Sequence, residues 1–238
     1  MRIAEALSKK PFAVVGHRGS KGTAPENTLR GLDHAIKAGA DIAEFDVQAT
    51  KDGLLVASHD PEIVTDTGER VDIRSVTYEE LKEFRVSGER IPTIEEIIEA
   101  ARDRIALFLE VKNPEDAEAV INLVEGLGAR DYVAVISFHR EAAAAAAEKG
   151  LWAGIVYFRP PGAIIDAKRL GCRLVLPRYP LATKKAIAFA HRLGLKVVAW
   201  TVNDAGVMKE LAARGVDAIA TDYPELGARV RDELSGKR

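Results

Sequence analysis

Two short runs carry the first chemical signal in this chain. One is Ile42-Ala43-Glu44-Phe45-Asp46-Val47; the other is Leu107-Phe108-Leu109-Glu110-Val111-Lys112. Both are apolar enough to be strands, along which successive side chains point to opposite faces. Phe45 and Val47 then share one face, and Glu44 and Asp46 share the other. Leu107, Leu109 and Val111 likewise share a face, with Glu110 and Lys112 opposite them. Three carboxylates turned toward an interior are unfavourable unless something positive binds them. Oxygen-only donors select a hard divalent cation, Mg²⁺, Ca²⁺ or Mn²⁺, over Zn²⁺. A set of structural ion pairs at strand ends would use the same residues. His17-Arg18 follows the apolar run Phe12–Gly16, and His59-Asp60 follows Leu54–Ala57. Two histidines suit a reaction in which one proton leaves an attacking oxygen and another reaches a leaving oxygen. His139, after Ser137-Phe138, also stands where it could line a mouth. His34 and His191 sit in helical patterns with no partner in view and read as surface or packing residues.

The elements that must position these side chains follow from pattern. Short apolar runs at Phe12–Gly16, Ile42–Val47, Ile105–Val111, Tyr132–Ser137, Trp152–Val156, Cys172–Leu176, Lys196–Val202 and Ala218–Thr221 read as strands. Helical patterns alternate with them at Thr28–Ala38, Thr93–Arg102, Glu115–Leu127, Arg140–Lys149, Gly162–Lys168, Thr183–Leu193, Ala205–Arg214 and Pro224–Leu234. Near-continuous apolar strands alternating with helices imply a parallel sheet covered on both faces. Eight such units in 238 residues predict a single (β/α)₈ TIM barrel spanning 1–238. A doubly wound sheet would want a glycine-rich dinucleotide loop after the first strand, and Gly16-His17-Arg18-Gly19 lacks that spacing. In a barrel the outer face of each strand meets helices, so Glu44, Asp46, Glu110 and Lys112 point inward. One connection is overlong. The segment 49–92 contains a turn at Lys51-Asp52-Gly53, a strand at Leu54-Leu55-Val56, a turn at Asp66-Thr67-Gly68-Glu69 and a helix over Thr77–Phe84 opened by a capping box. It reads as an insertion after the second strand that caps the C-terminal face, where barrel active sites lie.

Composition excludes other classes. With 47% hydrophobic and 29% charged residues, the chain can bury a large core. Lys plus Arg is 34 and Asp plus Glu is 36, a formal net charge of −2, which argues against a nucleic-acid partner held by bulk electrostatics. Cys172 is the only cysteine, so it forms no intrachain disulfide and belongs to no thiolate metal cluster. Met1–Lys10 lacks the apolar core of a secretory signal, and no stretch approaches a membrane span, so the expectation is a cytoplasmic protein without stable membrane insertion.

Together these residues resemble the glycerophosphodiester phosphodiesterase family. The resemblance is carried by His17-Arg18-Gly19, Ala24-Pro25-Glu26-Asn27-Thr28, Glu44-x-Asp46, His59-Asp60 and Glu110-x-Lys112, and by Trp200-Thr201-Val202-Asn203 and Thr221-Asp222-Tyr223-Pro224. No single piece is specific; their order and spacing over nearly the whole chain are. The resemblance implies a (β/α)₈ barrel with a small insertion after its second strand. It implies Glu44, Asp46 and Glu110 as ligands of one divalent cation, and His17 and His59 as the acid–base pair. It further implies Arg18 and Lys112 as phosphate-binding cations. The expected reaction is hydrolysis of a small glycerophosphodiester to sn-glycerol 3-phosphate and an alcohol, with attack by the glycerol 2-hydroxyl giving a cyclic phosphate first. Phe138 and Trp200 would wall the glycerol or simply pack the barrel. Charge supports a diester: three carboxylates, a divalent metal and two cations leave one net positive charge, which a diester monoanion neutralises. Three rivals stay open. A lysophospholipase D on this scaffold would need an apolar groove, and Phe158-Arg159-Pro160-Pro161 is short for one. An aldolase would use Lys112 as Schiff-base nucleophile, but neighbouring Glu110 would raise that lysine's pKa. A binding module would not need two histidines beside a carboxylate triad.

Overall fold

The computed structural model describes residues 1–159 and 162–236. The chain opens with a short helix, α1 (Ile3–Ala6), then β1 (Ala13–Gly16), α2 (Leu29–Lys37) and β2 (Ile42–Ala49). An excursion follows: β3 (Leu55–Ala57), β4 (Glu62–Val64), β5 (Arg70–Asp72) and α3 (Tyr78–Leu81). After α4 (Ile94–Ala101) the alternation is regular. It runs through β6 (Ala106–Val111), α5 (Ala117–Gly126), β7 (Val133–Ser137), α6 (Arg140–Glu148), β8 (Trp152–Tyr157) and α7 (Ala163–Arg169). It ends with β9 (Leu174–Pro177), α8 (Lys184–Arg192), β10 (Lys196–Ala199), α9 (Ala205–Arg214), β11 (Ala218–Thr221) and α10 (Pro224–Leu234).

Eight of these strands are parallel neighbours in the order β1-β2-β6-β7-β8-β9-β10-β11, and β1 also pairs with β11, closing a (β/α)₈ barrel. Alternate side chains fill two cores. Val14, Phe45, Leu107, Leu109, Val135 and Ile219 face the helices, and Val15, Phe108, Ile136, Leu174 and Val198 fill the barrel interior. Three of the helices start as threonine caps dictate: Thr28, Thr93 and Thr183 each accept a backbone N–H, and Thr93 closes a capping box with Glu96. Gly39, Gly150, Gly194 and Gly215 take positive φ just past helix ends, where the absence of a Cβ lets the chain reverse.

Several boundaries differ from the sequence reading. The run from Cys172 does not begin as strand: Cys172 lies buried before β9, its N–H bonded back to Ala167. β10 stops at Ala199, because Trp200 bridges to Arg178 and the chain then turns so that Val202 N–H reaches Ala220. The helix expected over Thr77–Phe84 is only Tyr78–Leu81, although its capping box is present. It ends early because Val86 and Glu89 pair across a tight turn. Pattern missed the β4–β5 hairpin and α1. Ile3, Ala6 and Leu7 of the α1 segment pack into the same cluster as Ala13, Ala106 and Phe108, beneath the barrel interior. The 49–92 segment holds a cluster of its own: Val56, Ile63, Val71, Ile73, Leu81 and Ile91. β3 pairs antiparallel with the end of β2, Val47 opposite Ala57. Among the described residues no helix is long and apolar enough to cross a membrane.

Candidate active site

Register places the carboxylates. Asp46 of β2 stands directly beside Glu110 of β6 in the parallel ladder, and Glu44 lies two residues earlier on the same face. One oxygen from each of Glu44, Asp46 and Glu110 lies within 4.8 Å of the others. Burial acts on all three, and repulsion between carboxylates on Glu44 and Glu110. Burial, with Asp46 and Glu110 nearby, pushes the Glu44 carboxyl well above the usual carboxylate range. Burial also raises Glu110, against the pull of Lys112. For Asp46 burial acts upward too, but Lys112 and Arg18 outweigh it and hold the carboxyl below its usual value. Lys112 Nζ donates to Glu110 Oε1 at 2.7 Å and to Asp46 Oδ1 at 3.2 Å, and these carboxylates raise its pKa against burial.

A loop held in an unusual conformation brings His17 and Arg18 to the carboxylates. Arg18 and Asn27 have φ of 50° and 55°, a region non-glycine residues enter at a cost of roughly 1–3 kcal/mol. Hydrogen bonds hold it there: Arg18 N–H to Glu44 Oε2 at 2.9 Å, Gly19 N–H to the Glu44 carbonyl at 2.9 Å, and Asn27 N–H to the Arg18 carbonyl at 3.0 Å. Asn27 also brackets Asp46, donating to Oδ2 at 3.0 Å and accepting the Asp46 N–H at 3.1 Å. The Arg18 guanidinium reaches Glu26 at 2.9 Å, and its Nε lies 3.2 Å from Asp46 Oδ2 without pointing its hydrogen there. His17 Nε2 stands 4.0 Å from Glu44 Oε2, while Nδ1 is 2.7 Å from Asp222 Oδ1.

These side chains border one cavity of about 250 Å³, lined on its polar side by His17, Arg18, Glu44, Asp46, His59, Glu110 and Lys112. Its other side is apolar and includes Ile136, Phe138, Val156, Leu176, Val198 and Trp200. Phe138 and Trp200 meet edge to face at 5.6 Å, and Trp200 Nε1 donates to the Leu176 carbonyl at 2.7 Å. His59 enters from the excursion after β2, its Nδ1 2.9 Å from Asp60 Oδ1. A second cavity, about 220 Å³, shares His59 and Asn27 with Ile63, Val64 and Ile91 of the excursion.

The nine residues expected to hold the metal, bind the phosphate, move protons or wall the glycerol thus border one space. His139 does not: it precedes α6, half exposed, 4.0 Å from Glu141. His191 is not without a partner, since its Nε2 is 2.7 Å from buried Asp217. His34 Nδ1 is 3.3 Å from Thr23 Oγ1. Phe158 is half exposed and meets Phe138 edge to face at 5.8 Å; Pro160 and Pro161 of its loop lie outside the described residues. Asp222, Asn203, Asn27 and Glu26 had no assigned role. For Asp222 the signal was position: with β11 closing onto β1 and Gly16 paired to Thr221, the next residues, His17 and Asp222, become neighbours.

The donor set fits a hard divalent cation. Among the described residues the buried side-chain atoms without a hydrogen-bond partner are Arg18 Nε and Glu44 Oε1, and Glu44 belongs to the cluster of three carboxylates. An acceptor left bare in such surroundings is what a cation would satisfy. A barrel with this arrangement at the C-terminal ends of its strands has the make-up of an enzyme active site able to hold a metal ion.

Comparison with known proteins narrows the class. A model of the glycerophosphoryl diester phosphodiesterase family matches residues 17–226. The glycerophosphodiester phosphodiesterase of Bacillus altitudinis is 31% identical over 244 residues, covering 93% of this chain and 98% of the relative. A crystal structure of a glycerophosphodiester phosphodiesterase from Parabacteroides distasonis has a TM-score of 0.84 at 28% identity, over 96% of this chain and 100% of that one. The structure of an Oleispira antarctica phosphodiesterase in complex with the product sn-glycerol-3-phosphate has a TM-score of 0.83 at 27% identity, over 92% of this chain and 96% of that one. The chain belongs to the glycerophosphoryl diester phosphodiesterase family. It is a phosphodiesterase-type hydrolase of glycerophosphodiesters.

Proposed function

We propose that this chain cleaves small glycerophosphodiesters to sn-glycerol 3-phosphate and an alcohol, with Glu44, Asp46 and Glu110 holding one Mg²⁺, Ca²⁺ or Mn²⁺ and with His17 and His59 moving the protons. The carrying observation is the convergence on one 250 Å³ cavity of three carboxylate groups, two cationic side chains and two imidazoles. A divalent cation at the carboxylates supplies Lewis acidity toward a phosphoryl oxygen and offsets their charge. Arg18 and Lys112 bind the remaining phosphoryl oxygens and stabilise the charge that builds there. One histidine accepts the proton of the attacking glycerol 2-hydroxyl, and the other protonates the departing alcohol oxygen; water then opens the cyclic phosphate with these roles reversed. Phe138 and Trp200 wall the glycerol carbons. The excursion 49–92 acts as a cap over the mouth, contributing His59, and the second cavity beside His59 gives the alcohol portion room.

Purified protein given glycerophosphocholine and Mg²⁺, Ca²⁺ or Mn²⁺ should release glycerol 3-phosphate and stop on chelation. Turnover of lysolipid micelles in preference to the water-soluble diester would replace this reading with the lysophospholipase D one. The proton roles are tested by leaving group. Choline is a poor alkoxide and needs protonation as it departs; nitrophenolate does not. Loss of a proton-transfer group costs about 10²–10⁴-fold, so His17→Ala and His59→Ala should both lose that much kcat/KM on glycerophosphocholine. On glycerophospho-nitrophenol one variant, and one alone, should regain most of its rate. Equal recovery of both, or full activity of either on the natural diester, refutes the pairing.

A further inference from the structure

We propose that Asp222 is the positioning residue for His17, fixing the imidazole as its Nδ1–H tautomer so that Nε2 is the nitrogen that exchanges a proton in the cavity. The inference rests on the assignment of His17 to proton transfer and extends it to an atom and a partner. His17 Nδ1 and Asp222 Oδ1 are 2.7 Å apart. The other carboxylate oxygen, Oδ2, accepts from Asn203 Nδ2 at 2.6 Å. Asn203 cannot turn its amide over, because its Oδ1 accepts both the Asp222 N–H at 2.9 Å and the Thr221 hydroxyl at 3.0 Å. Asp222 is therefore oriented from behind, and its hydrogen bonds with His17 and Asn203 outweigh burial and keep its carboxyl below the usual range.

A carboxylate offers only acceptors. A neutral imidazole facing one must carry its proton on that nitrogen, which leaves the lone pair on the other. The other is Nε2, on the side of Glu44 at 4.0 Å. During catalysis Nε2 takes or gives the proton while Nδ1 keeps its own, so no proton passes to Asp222. The second histidine lacks this support. Its partner Asp60 has a side chain 73% exposed, against 19% for Asp222, and no side chain behind Asp60 holds its carboxylate among the described residues. The family motifs place Asp222 and Asn203 near the end of the chain; closure of β11 onto β1 places them behind His17.

The same network supplies a test that separates orientation from charge. In Asp222→Asn the Asn203 Nδ2–H still requires an acceptor. The new amide at position 222 therefore turns its oxygen to Asn203 and its NH₂ to His17 Nδ1, which forces the proton to Nε2. Adding Asn203→Asp reverses this. A carboxylate at position 203 accepts the new NH₂ and still accepts the backbone N–H and Thr221 hydroxyl, so the amide oxygen turns back to His17 Nδ1. The net charge of the pair equals that of the natural protein.

Nitrogen-15 NMR of the metal-free protein at alkaline pH, where imidazoles are neutral, reads the tautomer directly. The His17 signals are identified by their absence in His17→Gln. The natural protein and the double variant should show Nδ1–H, and Asp222→Asn should show Nε2–H. With Mg²⁺ supplied, Asp222→Asn should lose about 10²–10⁴-fold in kcat with KM little changed, and the double variant should regain at least about tenfold. An Nε2–H tautomer in the natural protein overturns the proposal, and so does a kcat for Asp222→Asn within about threefold of the natural value. Failure of the double variant to regain both tautomer and rate also overturns it. If Asp222→Asn does not fold, the natural tautomer and the double variant carry the test. Full activity of His17→Gln would instead remove His17 from proton transfer altogether, a different failure.

Discussion

Glu44 shows most directly what a cation would do at this site. Its Oε2 accepts the Arg18 N–H, its Oε1 has no donor among the described residues, and burial beside two other carboxylates raises its pKa. A cation held there binds the native chain and not the unfolded one, so it stabilises by mass action. At one hundred times its dissociation constant the gain is about 2.7 kcal/mol. For a domain of this size that corresponds to a rise in Tm of roughly 5–10 °C. Glu44→Gln should abolish the rise at the same metal concentration while leaving the barrel folded. A thermal scan of both proteins with and without metal checks this, and an equal rise in both would remove Glu44 from the ligand set. The three carboxylates were legible because a period of two separates inward from outward without any knowledge of neighbours. Lys112 was legible as inward and as a neighbour of Glu110, two residues before it; its bond to Asp46 depends on β2 and β6 lying side by side.

At the scale of elements, strand ends matter more than strand centres, because loops leaving the C-terminal ends carry the chemistry. Gly16 closes β1, and a Cβ there would sit 2.1 Å from the Gly19 carbonyl oxygen, a backbone atom that cannot step aside alone. Gly154 in β8 is also crowded, but by side chains: Leu176 Cδ1 at 2.6 Å and Leu174 Cβ at 2.7 Å. The two substitutions should therefore differ in kind. Gly154→Ala overpacks the barrel and should cost about 1–3 kcal/mol of stability. Gly16→Ala displaces the loop that holds His17 and Arg18, and a shift of that order costs about 10²-fold in rate. Denaturant melts and kcat measured below both melting points separate the cases. A larger kcat loss in Gly154→Ala than in Gly16→Ala would contradict the argument. Helix starts were read well from Thr28, Thr93 and Thr183, since a cap is a local bond between residues three apart. Ends of β9 and β10 were read less well, since where a strand stops depends on what pairs with it.

For the whole molecule the barrel has a working end and a closed end. α1 lies against the closed end, with Ile3 and Ala6 fully buried and Leu7 1% exposed. Ile3 packs in the cluster that contains Phe108 and Ala106, whose strand carries Glu110 farther along. Removing most of a buried isoleucine side chain costs about 2–5 kcal/mol. Ile3→Ala should lower stability by that amount and leave kcat per folded molecule unchanged, since the substitution lies at the N-terminal end of strands whose C-terminal ends hold the site. Equilibrium unfolding together with active-site titration checks both halves. A stability loss under about 1 kcal/mol would mean that α1 is not part of the cooperative fold.

The amino-acid sequence by itself determined the faces: which side chains of each strand look inward, that strands alternate with helices eight times, and that nine residues of particular type lie at strand ends or just beyond them. Those features are local, because backbone geometry sets them within a few residues. Partnership was decided only by the tertiary structure. His17 and Asp222 are 205 residues apart, and His191 found Asp217 across 26. The α1 segment, too short to show a helical period, became a plug only because the barrel offered it an apolar floor. Periodicity names a direction for each side chain. Closure of the barrel and the register of its strands decide what stands there to meet it, and the Asp222 carboxylate behind His17 depends on that second fact.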